Sequence, residues 1–276
     1  MKKIIRFTKI SAAGNDFIMI DNRRKLMPRD MAPLVKKLCH RQFAVGADGV
    51  ILLEKSKKAD FRMRYYNSDG SAATMCGNGG RSVAKFAYIL GVAQKKMSFE
   101  TDAGLVQAEI SGANVRLGLY EPKDVLLDFP LKVEKREFDA SFINTGVPHT
   151  VIFVNDIDKA DVFNLGRMVR QHRRFLPAGT NVNFVEKKDN HTLLVRTYER
   201  GVEDETLACG TGVTASAIIA GLRGIAASPV YCLTKGGYTL KVSFTLNGDG
   251  DFISPVSDVR LEGAAEVAFK GEVEIR

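Results

Sequence analysis

Short runs of apolar or alternating residues follow one another closely along this chain of 276 residues. Turn signals such as Asn247-Gly248 and Lys270-Gly271 follow many of these runs. Runs with such punctuation are typical of β-strands, and their close spacing predicts mainly antiparallel pairing. The ten predicted strands are residues 18–20, 50–53, 62–66, 105–110, 115–119, 150–154, 183–185, 193–198, 240–246 and 266–269.

Two segments have the pattern of helices instead. The first follows Cys76 and places four apolar residues at the i, i+3, i+4 and i+7 positions of one helix face: Val83, Phe86, Ala87 and Leu90. Gly91 then supplies a C-terminal stop. The second segment, residues 213–222, is small or apolar on all sides, which is typical of a helix enclosed by a sheet.

The motif around the first helix occurs twice. Residues 61–79 and residues 194–212 both contain a strand, a tyrosine, a polar turn and a cysteine directly before Gly-x-Gly, and the copies lie 133 positions apart. The two cysteines are Cys76 and Cys209. Further pairs of blocks keep the same order at the same or nearly the same offset, and they are residues 46–48 with 179–181 and residues 14–17 with 146–149. Three pairs in one order indicate a duplicated half.

These patterns predict an α+β fold with two pseudo-symmetric domains. Each domain is expected to be a curled, mainly antiparallel sheet or barrel around a central helix. Residues 1–121 form the predicted N-terminal domain, which carries Cys76, and residues 122–265 form the second domain, which carries Cys209. The last strand, residues 266–276, is expected to return to the first domain.

Composition and charge exclude several classes of protein. A content of 45% hydrophobic and 26% charged residues is ordinary for a globular chain. The net charge of +8 is spread over turns and polar faces, which argues against nucleic-acid binding and fits a positive field around an anionic small-molecule substrate. No apolar run approaches the ~18 residues of a membrane span. Arg6 and Lys9 interrupt the apolar core of a signal peptide, so we expect a cytoplasmic protein that does not bind membranes.

The cysteines show no Cys-x-x-Cys spacing; they are Cys39, Cys76, Cys209 and Cys232. We expect thiols rather than disulfides. We expect no metal site, because no His or Cys lies at ligand spacing from Cys76 or Cys209. Cys39, in the helix-like stretch 32–41, and Cys232, in an apolar strand, are expected to be small core residues.

A cysteine at the start of a helix has a particular chemistry. The helix field favours the thiolate, and the first backbone N–H groups of the helix have no helical acceptor. Here those groups belong to Gly77-Asn78 and Gly210-Thr211, one anion site per domain. If both sites hold one carboxylate, the carbon that bears it has a thiol on each face. One thiolate then removes the α-proton and the opposite thiol returns a proton, without any cofactor. The alternative is that Cys-Gly-x-Gly marks only a tight turn before each helix.

Three blocks of the chain resemble the diaminopimelate epimerase family. They are Gly14-Asn15-Asp16-Phe17, then Asn67-Ser68-Asp69-Gly70 with Cys76-Gly77-Asn78-Gly79, and Tyr198-Glu199-Arg200-Gly201 with Cys209-Gly210-Thr211-Gly212. The resemblance covers nearly the whole chain in the family's order and spacing. It implies a cofactor-independent isomerase that converts LL- to meso-diaminopimelate in lysine and peptidoglycan-precursor synthesis. It also implies two pseudo-symmetric α+β domains and a homodimer.

The resemblance assigns roles by position. It implies that Cys76 and Cys209 are the acid/base pair and that the amides around the α-carboxylate are those of Gly77, Asn78, Gly210 and Thr211. The residues implied to hold the substrate's amino and carboxylate groups are Asn15, Asn67, Asn181, Glu199 and Arg200. His149 and Glu199 are implied to tune the thiols. The chain departs from many family members at Val147, where they have Asn, and from some at Gly49, where they have Gln, which bears on substrate contacts. Asparagines in turns can equally bond their own backbone.

Other functions remain open on the sequence. A proline or hydroxyproline racemase or epimerase uses the same two-thiol chemistry, but such enzymes typically have His where this chain has Asn78. A cysteine hydrolase could use one thiol with His149, which would leave the second motif unexplained. A binding module without catalysis predicts no reason for two thiols at helix starts. Deuterium uptake at the α-carbon of diaminopimelate, proline turnover, and ester or amide cleavage distinguish these functions.

Overall fold

The computed structural model describes residues 3–248 and 254–275. The strands are β1 (Lys3–Ala12), β2 (Asn15–Asp21), β3 (Gly49–Glu54), β4 (Phe61–Asn67), β5 (Ala72–Ala73), β6 (Lys96–Thr101), β7 (Gly104–Ser111), β8 (Asn114–Gly118), β9 (Lys123–Val133), β10 (Arg136–Asn144), β11 (Pro148–Phe153), β12 (Asn181–Lys187), β13 (Thr192–Glu199), β14 (Asp204–Thr206), β15 (Val230–Thr234), β16 (Thr239–Leu246), β17 (Val256–Ala264) and β18 (Glu266–Ile275). The α-helices are α1 (Ala32–Cys39), α2 (Gly77–Ile89), α3 (Val162–Arg170) and α4 (Gly210–Leu222), and Arg173–Phe175 forms a 3-10 turn.

The chain forms two compact units. The first contains the chain up to Gly118 and again from Glu262 onward, and the second is Leu119–Leu261. The chain passes from the second unit back to the first within β17, and β18 then pairs antiparallel with β1.

In the first unit the sheet is mainly antiparallel and encloses α2. Strand β1 pairs antiparallel with β2, β3 with β4, and β6 with β7, which itself pairs with β8. The pairs β2–β3 and β4–β6 are parallel because a helix, α1 or α2, makes the crossover between them. Helix α2 contacts β1, β2, β3, β4, β7 and β8, so its small and apolar residues form the centre of the unit. Helix α1 packs on β3 and β4 and covers a second cluster that includes Val35 and Leu38.

The second unit repeats this order of steps. Strands β9, β10 and β11 are antiparallel, β11–β12 is parallel across α3, β12–β13 is antiparallel, and β13–β15 is parallel across α4. The registers correspond as well, since Phe17 pairs with Gly49 in the first unit and His149 pairs with Asn181 in the second. Helix α4 is buried along ten of its residues, Gly212–Gly221. The α+β fold of two similar halves, each with a helix inside a sheet, is therefore confirmed.

Each of the ten predicted strands coincides with a strand of the structure, and two of them overrun its end by one residue. The helix predicted after Cys76 is α2, but it ends at Ile89 and Leu90 is its C-cap. The assignment of Leu90 to the buried face is therefore wrong: this side chain is 39% exposed. Gly91 follows with a φ of 68°, which supplies the expected stop.

The sequence analysis did not predict helix α3 or seven of the strands, β1, β5, β6, β9, β10, β14 and β17. Asp124 and Asp128 in β9 have φ values of 54° and 49°, and the register between β9 and β10 shifts twice, although apolar residues occupy every second position of β9 from Val125 to Val133. Helix α3 has a signal that the sequence does offer. Asp161 is its N-cap and accepts the backbone N–H of Asn164 at 3.1 Å, and buried apolar residues follow at helical spacing.

The helices among the described residues are too short and too polar for any of them to cross a membrane. The described part of the chain also contains no cluster of three His, Cys, Asp or Glu side chains that could share a metal ion. The four cysteines all lie in described segments and form no disulfide. Cys39 and Cys232 are buried, and burial raises the pKa of both thiols to about 12, so they are core residues as expected.

Candidate functional site

Cys76 is the N-cap of α2 in the first unit. Its backbone is extended, with φ −142° and ψ 128°, and its Sγ accepts the backbone N–H of Gly79 at 3.4 Å. Helix α2 begins at Gly77, so the amides of Gly77 and Asn78 lie in the first turn, where N–H groups have no helical acceptor. The predicted placement of the first cysteine at a helix start is confirmed.

A chain of hydrogen bonds through three polar side chains connects this helix start to two neighbouring segments. Asn78 is 2% exposed and donates Nδ2–H to Oδ1 of Asn15 at 2.7 Å. Asn15 donates its own Nδ2–H to Oδ2 of Asp48 at 2.9 Å. The structure therefore brings together two of the predicted substrate-binding residues, Asn15 and Asn78, and adds Asp48, to which no role was assigned from the sequence.

A cluster of charges supports this end of the network. Arg41 forms hydrogen bonds to both carboxylate oxygens of Asp16 at 3.0 and 2.8 Å and to Asp48 at 2.7 Å. Lys9, which is buried, pairs with Asp16 at 3.0 Å. Burial alone would raise the pKa of Asp16, but the hydrogen bonds from Arg41 and Lys9 outweigh it and hold the pKa below its usual value. The loop that carries Asn15 is thus held by ionised groups.

Asn67 and Gly49 face each other across β3 and β4. Asn67 donates Nδ2–H to the Ser71 hydroxyl at 3.1 Å, a bond within its own turn, and it is half-buried. A Cβ on Gly49 would lie 2.4 Å from the Tyr66 carbonyl oxygen and 2.6 Å from the Tyr65 ring. Tyr65 therefore occupies the space of a residue-49 side chain, which explains why this chain has glycine there.

Arg81 is a residue of this site that the sequence analysis missed. It lies on α2, is 0% exposed, and donates Nη2–H to Oδ1 of Asn78 at 2.6 Å. Its Nε and Nη1 atoms have no hydrogen-bond partner among the described residues. The signal for it in the sequence is weak: a single arginine between Gly80 and Ser82, in a segment whose other residues, apart from Asn78 and Lys85, are mostly small or apolar.

In the second unit, Cys209 holds the position that Cys76 holds in the first. It is the N-cap of α4, which begins at Gly210, and it is 7% exposed. Its Sγ lies 3.4 Å from the hydroxyl oxygen of Thr211. Thr145 donates its hydroxyl to the Thr211 carbonyl at 3.2 Å, so the loop before β11 is connected to the first turn of α4.

His149 is fully buried beside α4, and its tautomer follows from its neighbours. Asn183 Nδ2 lies 3.1 Å from the carbonyl oxygen of Thr150, which can only accept, so the amide nitrogen of Asn183 must face that carbonyl. The same Nδ2 lies 3.1 Å from Nδ1 of His149, and Thr197 donates to Asn183 Oδ1 at 2.9 Å. Nδ1 of His149 is consequently an acceptor and Nε2 carries the proton. Burial, together with the positive charge of Arg200, lowers the pKa of His149 to about 3, so the imidazole is neutral.

Asn181 and the consecutive residues Glu199 and Arg200 also lie in this unit. Asn181 donates Nδ2–H to the Pro148 carbonyl at 2.9 Å and accepts the Arg200 backbone N–H at 2.8 Å. The Arg200 guanidinium donates Nη1–H to the carbonyl of Ala178 at 2.8 Å. Burial raises the pKa of Glu199. Asn181, the first residue of β12, therefore connects the start of β11 to Arg200, which directly follows β13.

The first turn of α4 leaves no room for a side chain at Gly212. A Cβ there would lie 2.4 Å from Asn183 Oδ1 and 3.2 Å from the Cβ of Cys209. Gly79, its equivalent in α2, would instead meet Cδ1 of Ile51 at 3.0 Å. Glycine is thus required at position 212 because the side-chain amide of Asn183 lies directly beneath it. Val147 closes a turn, since its carbonyl accepts the backbone N–H of Thr145 at 3.2 Å.

The fold of the chain is similar to that of several solved structures. A phenazine biosynthesis protein of the PhzF family from Bacillus anthracis matches with a TM-score of 0.77 at 16% identity, and each chain is covered to 99%. A probable proline racemase from Agrobacterium radiobacter K84 matches with a TM-score of 0.71 at 16% identity, covering 99% of this chain and 93% of that one. At such identities these structures define the fold alone.

Sequence comparison defines the family. The family model for diaminopimelate epimerase matches residues 7–121 and 141–251. The diaminopimelate epimerase of Aquifex aeolicus is 42% identical over 281 aligned positions, which cover 98% of this chain and 98% of that protein. The chain belongs to the diaminopimelate epimerase family.

Proposed function

We propose that this protein interconverts LL- and meso-diaminopimelate by proton exchange at one α-carbon, with Cys76 and Cys209 as the acid/base pair and without a cofactor. The main support is that both cysteines are N-caps of helices that occupy equivalent positions in a duplicated frame. Such a position favours a thiolate and offers backbone N–H groups to an anion. The family to which the chain belongs supports diaminopimelate as the substrate.

The reaction consists of two proton transfers. A thiolate takes the α-proton, and the electron pair left on carbon is delocalised into the carboxylate. Amides of Gly77, Asn78, Gly210 and Thr211 would stabilise that charge, since N–H groups at helix starts are fixed donors. The second cysteine delivers its proton to the opposite face of the carbon, and the two thiols end with exchanged protonation states. The reverse reaction uses the same groups in the opposite roles.

The remaining polar residues would bind the substrate. Asn15, Asn67 and Asn181 offer amide groups, and Glu199 and Arg200 offer charges for the ammonium and carboxylate groups. A neutral His149 with its proton on Nε2 can donate a hydrogen bond but is not a base at neutral pH. Its proposed role is to tune the thiol of its own unit, as is that of Glu199.

We further propose that the protein acts as a cytoplasmic homodimer in lysine and peptidoglycan-precursor synthesis. Diaminopimelate carries two ammonium and two carboxylate groups, and the net charge of +8 suits a substrate with anionic ends. No cofactor, metal or nucleic acid takes part in this proposal.

The test is deuterium incorporation at the α-carbon of diaminopimelate in heavy water, followed from both the LL and the meso isomer. We expect Cys76→Ala and Cys209→Ala each to lose nearly all exchange and epimerisation, while Cys39→Ala, a control at a buried thiol outside the site, keeps them. Full epimerisation by Cys76→Ala or by Cys209→Ala would refute the two-base mechanism. Turnover of proline in place of diaminopimelate would select the racemase alternative.

A further inference from the structure

The buried guanidinium of Arg81 has no carboxylate to balance its charge. Arg81 takes part in none of the ion pairs found among residues 3–248 and 254–275, and two of its nitrogens have no hydrogen-bond partner there. An isolated buried charge is costly unless a nearby opposite charge compensates it. A residue that is 0% exposed cannot obtain this compensation from bulk water. The guanidinium of Arg81 is therefore a buried cation, and the negative group that balances its charge must lie close to it.

The group that fits this requirement is Cys76. It is the N-cap of the helix whose first turns contain Arg81, and a negative charge on its sulfur acts on the guanidinium. Burial lowers the pKa of Arg81 to about 10 and the charge of Cys76 opposes that shift, so the guanidinium is still positive at neutral pH. Attraction between the two is mutual: a cation stabilised by a thiolate stabilises that thiolate in return.

The other charged groups near α2 are occupied with one another. The strands packed against this helix are β1, β2, β3, β4, β7 and β8. The charged side chains that the structure describes on these strands all form ion pairs: Lys9 with Asp16, Arg6 with Glu272, Asp21 with Arg23, Arg64 with Glu54, Arg62 with Glu100 and Asp102, and Arg116 with Glu109 and Glu262. None of these carboxylates is bonded to Arg81; within the described segments its side chain makes one hydrogen bond, to the neutral amide of Asn78.

The hydrogen bond from Arg81 to Asn78 determines the orientation of two side-chain amides. Guanidinium can only donate, so Oδ1 of Asn78 must face Arg81 and Nδ2 must face Asn15. At the far end the carboxylate of Asp48 can only accept, so Asn15 directs its Nδ2 there. The orientations of both asparagine amides are thus fixed by a cation at one end and an anion at the other.

On α4 no cation takes the place of Arg81, although Arg200 contributes a positive charge near His149. The residue 133 positions after Arg81 is Thr214, which is buried and donates its hydroxyl to the Gly210 carbonyl at 2.9 Å. The imidazole beside α4 is the neutral His149. The two cysteines have the same place in the frame but different electrostatic surroundings.

We propose that Arg81 is the buried counter-charge of the Cys76 thiolate, and that in the resting protein Cys76 is the thiolate and Cys209 the protonated thiol. Arg81 is a positioning residue: it acts on the sulfur of Cys76 and on the amide of Asn78. Its role in catalysis rests on the proposed two-thiol reaction, but the state of the two thiols can be measured without turnover.

The experiment is alkylation by iodoacetamide over a range of pH, with the modification of the Cys76 and Cys209 peptides followed separately by mass spectrometry. The midpoint of each rate profile reports when the thiolate forms and does not depend on how accessible the sulfur is. We expect the midpoint for Cys76 to lie at least about one pH unit below that for Cys209, a tenfold difference in thiolate fraction at low pH.

Arg81→Met should move the Cys76 profile up by about one unit or more and leave the Cys209 profile in place. Arg81→Lys keeps the charge and should move it less. Thr214→Val is the matched change at the equivalent position and should move neither profile. If the native midpoint of Cys209 equals or lies below that of Cys76, or if Arg81→Met leaves the Cys76 profile unchanged, the proposal is wrong. Comparing the midpoints of Cys76 and Cys209 in the native protein tests the proposal even if Arg81→Met does not fold.

This experiment is independent of the substrate. A protein that shows the expected alkylation profiles but does not epimerise diaminopimelate would refute the proposed function and leave the role of Arg81 intact. A protein that epimerises diaminopimelate but whose resting thiolate is Cys209 would support the proposed function and refute the role of Arg81.

Discussion

Protonation of His149 should couple the stability of the protein to pH. The pKa of this buried imidazole falls from its usual 6.5 to about 3, so below pH 6.5 the unfolded chain binds a proton that the folded chain does not. Stability therefore falls as the pH drops from 6.5 toward 3 and does not depend on this group above 6.5. Between about pH 7.5 and 5 the native protein should lose about 2 kcal/mol of unfolding free energy through His149 alone.

The assay is urea unfolding followed by circular dichroism, because the chain has no tryptophan. His149→Gln removes the titrating group, so its unfolding free energy should fall by about 2 kcal/mol less than that of the native protein over the same pH interval. His40→Gln is the matched control at an exposed histidine and should keep the native slope. Carboxylates contribute equally to all three proteins and cancel in the comparison.

Two results would refute this reasoning. One is an equal pH slope for the native protein and His149→Gln. The other is an NMR titration in which the His149 ring protonates with a midpoint above pH 6, since the imidazole could then be charged at the pH where the protein works. The second measurement also reports the tautomer, which we expect to be Nε2–H.

Two further predictions concern the second unit. Gly212→Ala should destabilise the protein by about 1–3 kcal/mol in urea unfolding, because its Cβ would lie 2.4 Å from a fixed amide oxygen. Gly79→Ala, the matched change in α2, meets the mobile end of Ile51 and should cost less; equal costs would contradict the steric argument. Arg200→Met should lower kcat/KM for diaminopimelate by roughly thirty- to several-thousand-fold, since about 2–5 kcal/mol is lost when a bound carboxylate is left unpaired. Activity within about threefold of native would show that Arg200 does not hold the substrate.

Local features of the site could be predicted from the sequence, because they depend on neighbours in the chain. A cysteine before Gly-x-Gly and an apolar run is sufficient to place Cys76 and Cys209 at helix starts. The duplication then relates the two helices and the crossovers that precede them, since a repeated motif implies a repeated supersecondary unit.

Features that depend on distant neighbours could not be predicted. The tautomer of His149 is determined by Asn183, which lies 34 positions away and is oriented by the Thr150 carbonyl. Arg81 is buried because strands that precede α2 in the sequence and strands that follow it both pack against this helix. The positive φ of Asp124 and Asp128 in β9 is a conformation that aspartate tolerates but that the sequence alone does not reveal.

The duplicated frame gives the two thiols equal backbone surroundings, and the side chains beneath them remove that equality. Below the first turn of α2 lie the apolar Ile51 and, on the helix itself, the cation of Arg81. Below α4 lies the neutral pair of Asn183 and His149. The proposed reaction starts from one thiolate and one thiol, and identical surroundings would leave the charge equally on either sulfur. In our proposal the buried cation of Arg81 stabilises the state in which Cys76 is the thiolate, which starts one of the two directions of the reaction, and that thiolate in turn offsets the cost of burying the guanidinium.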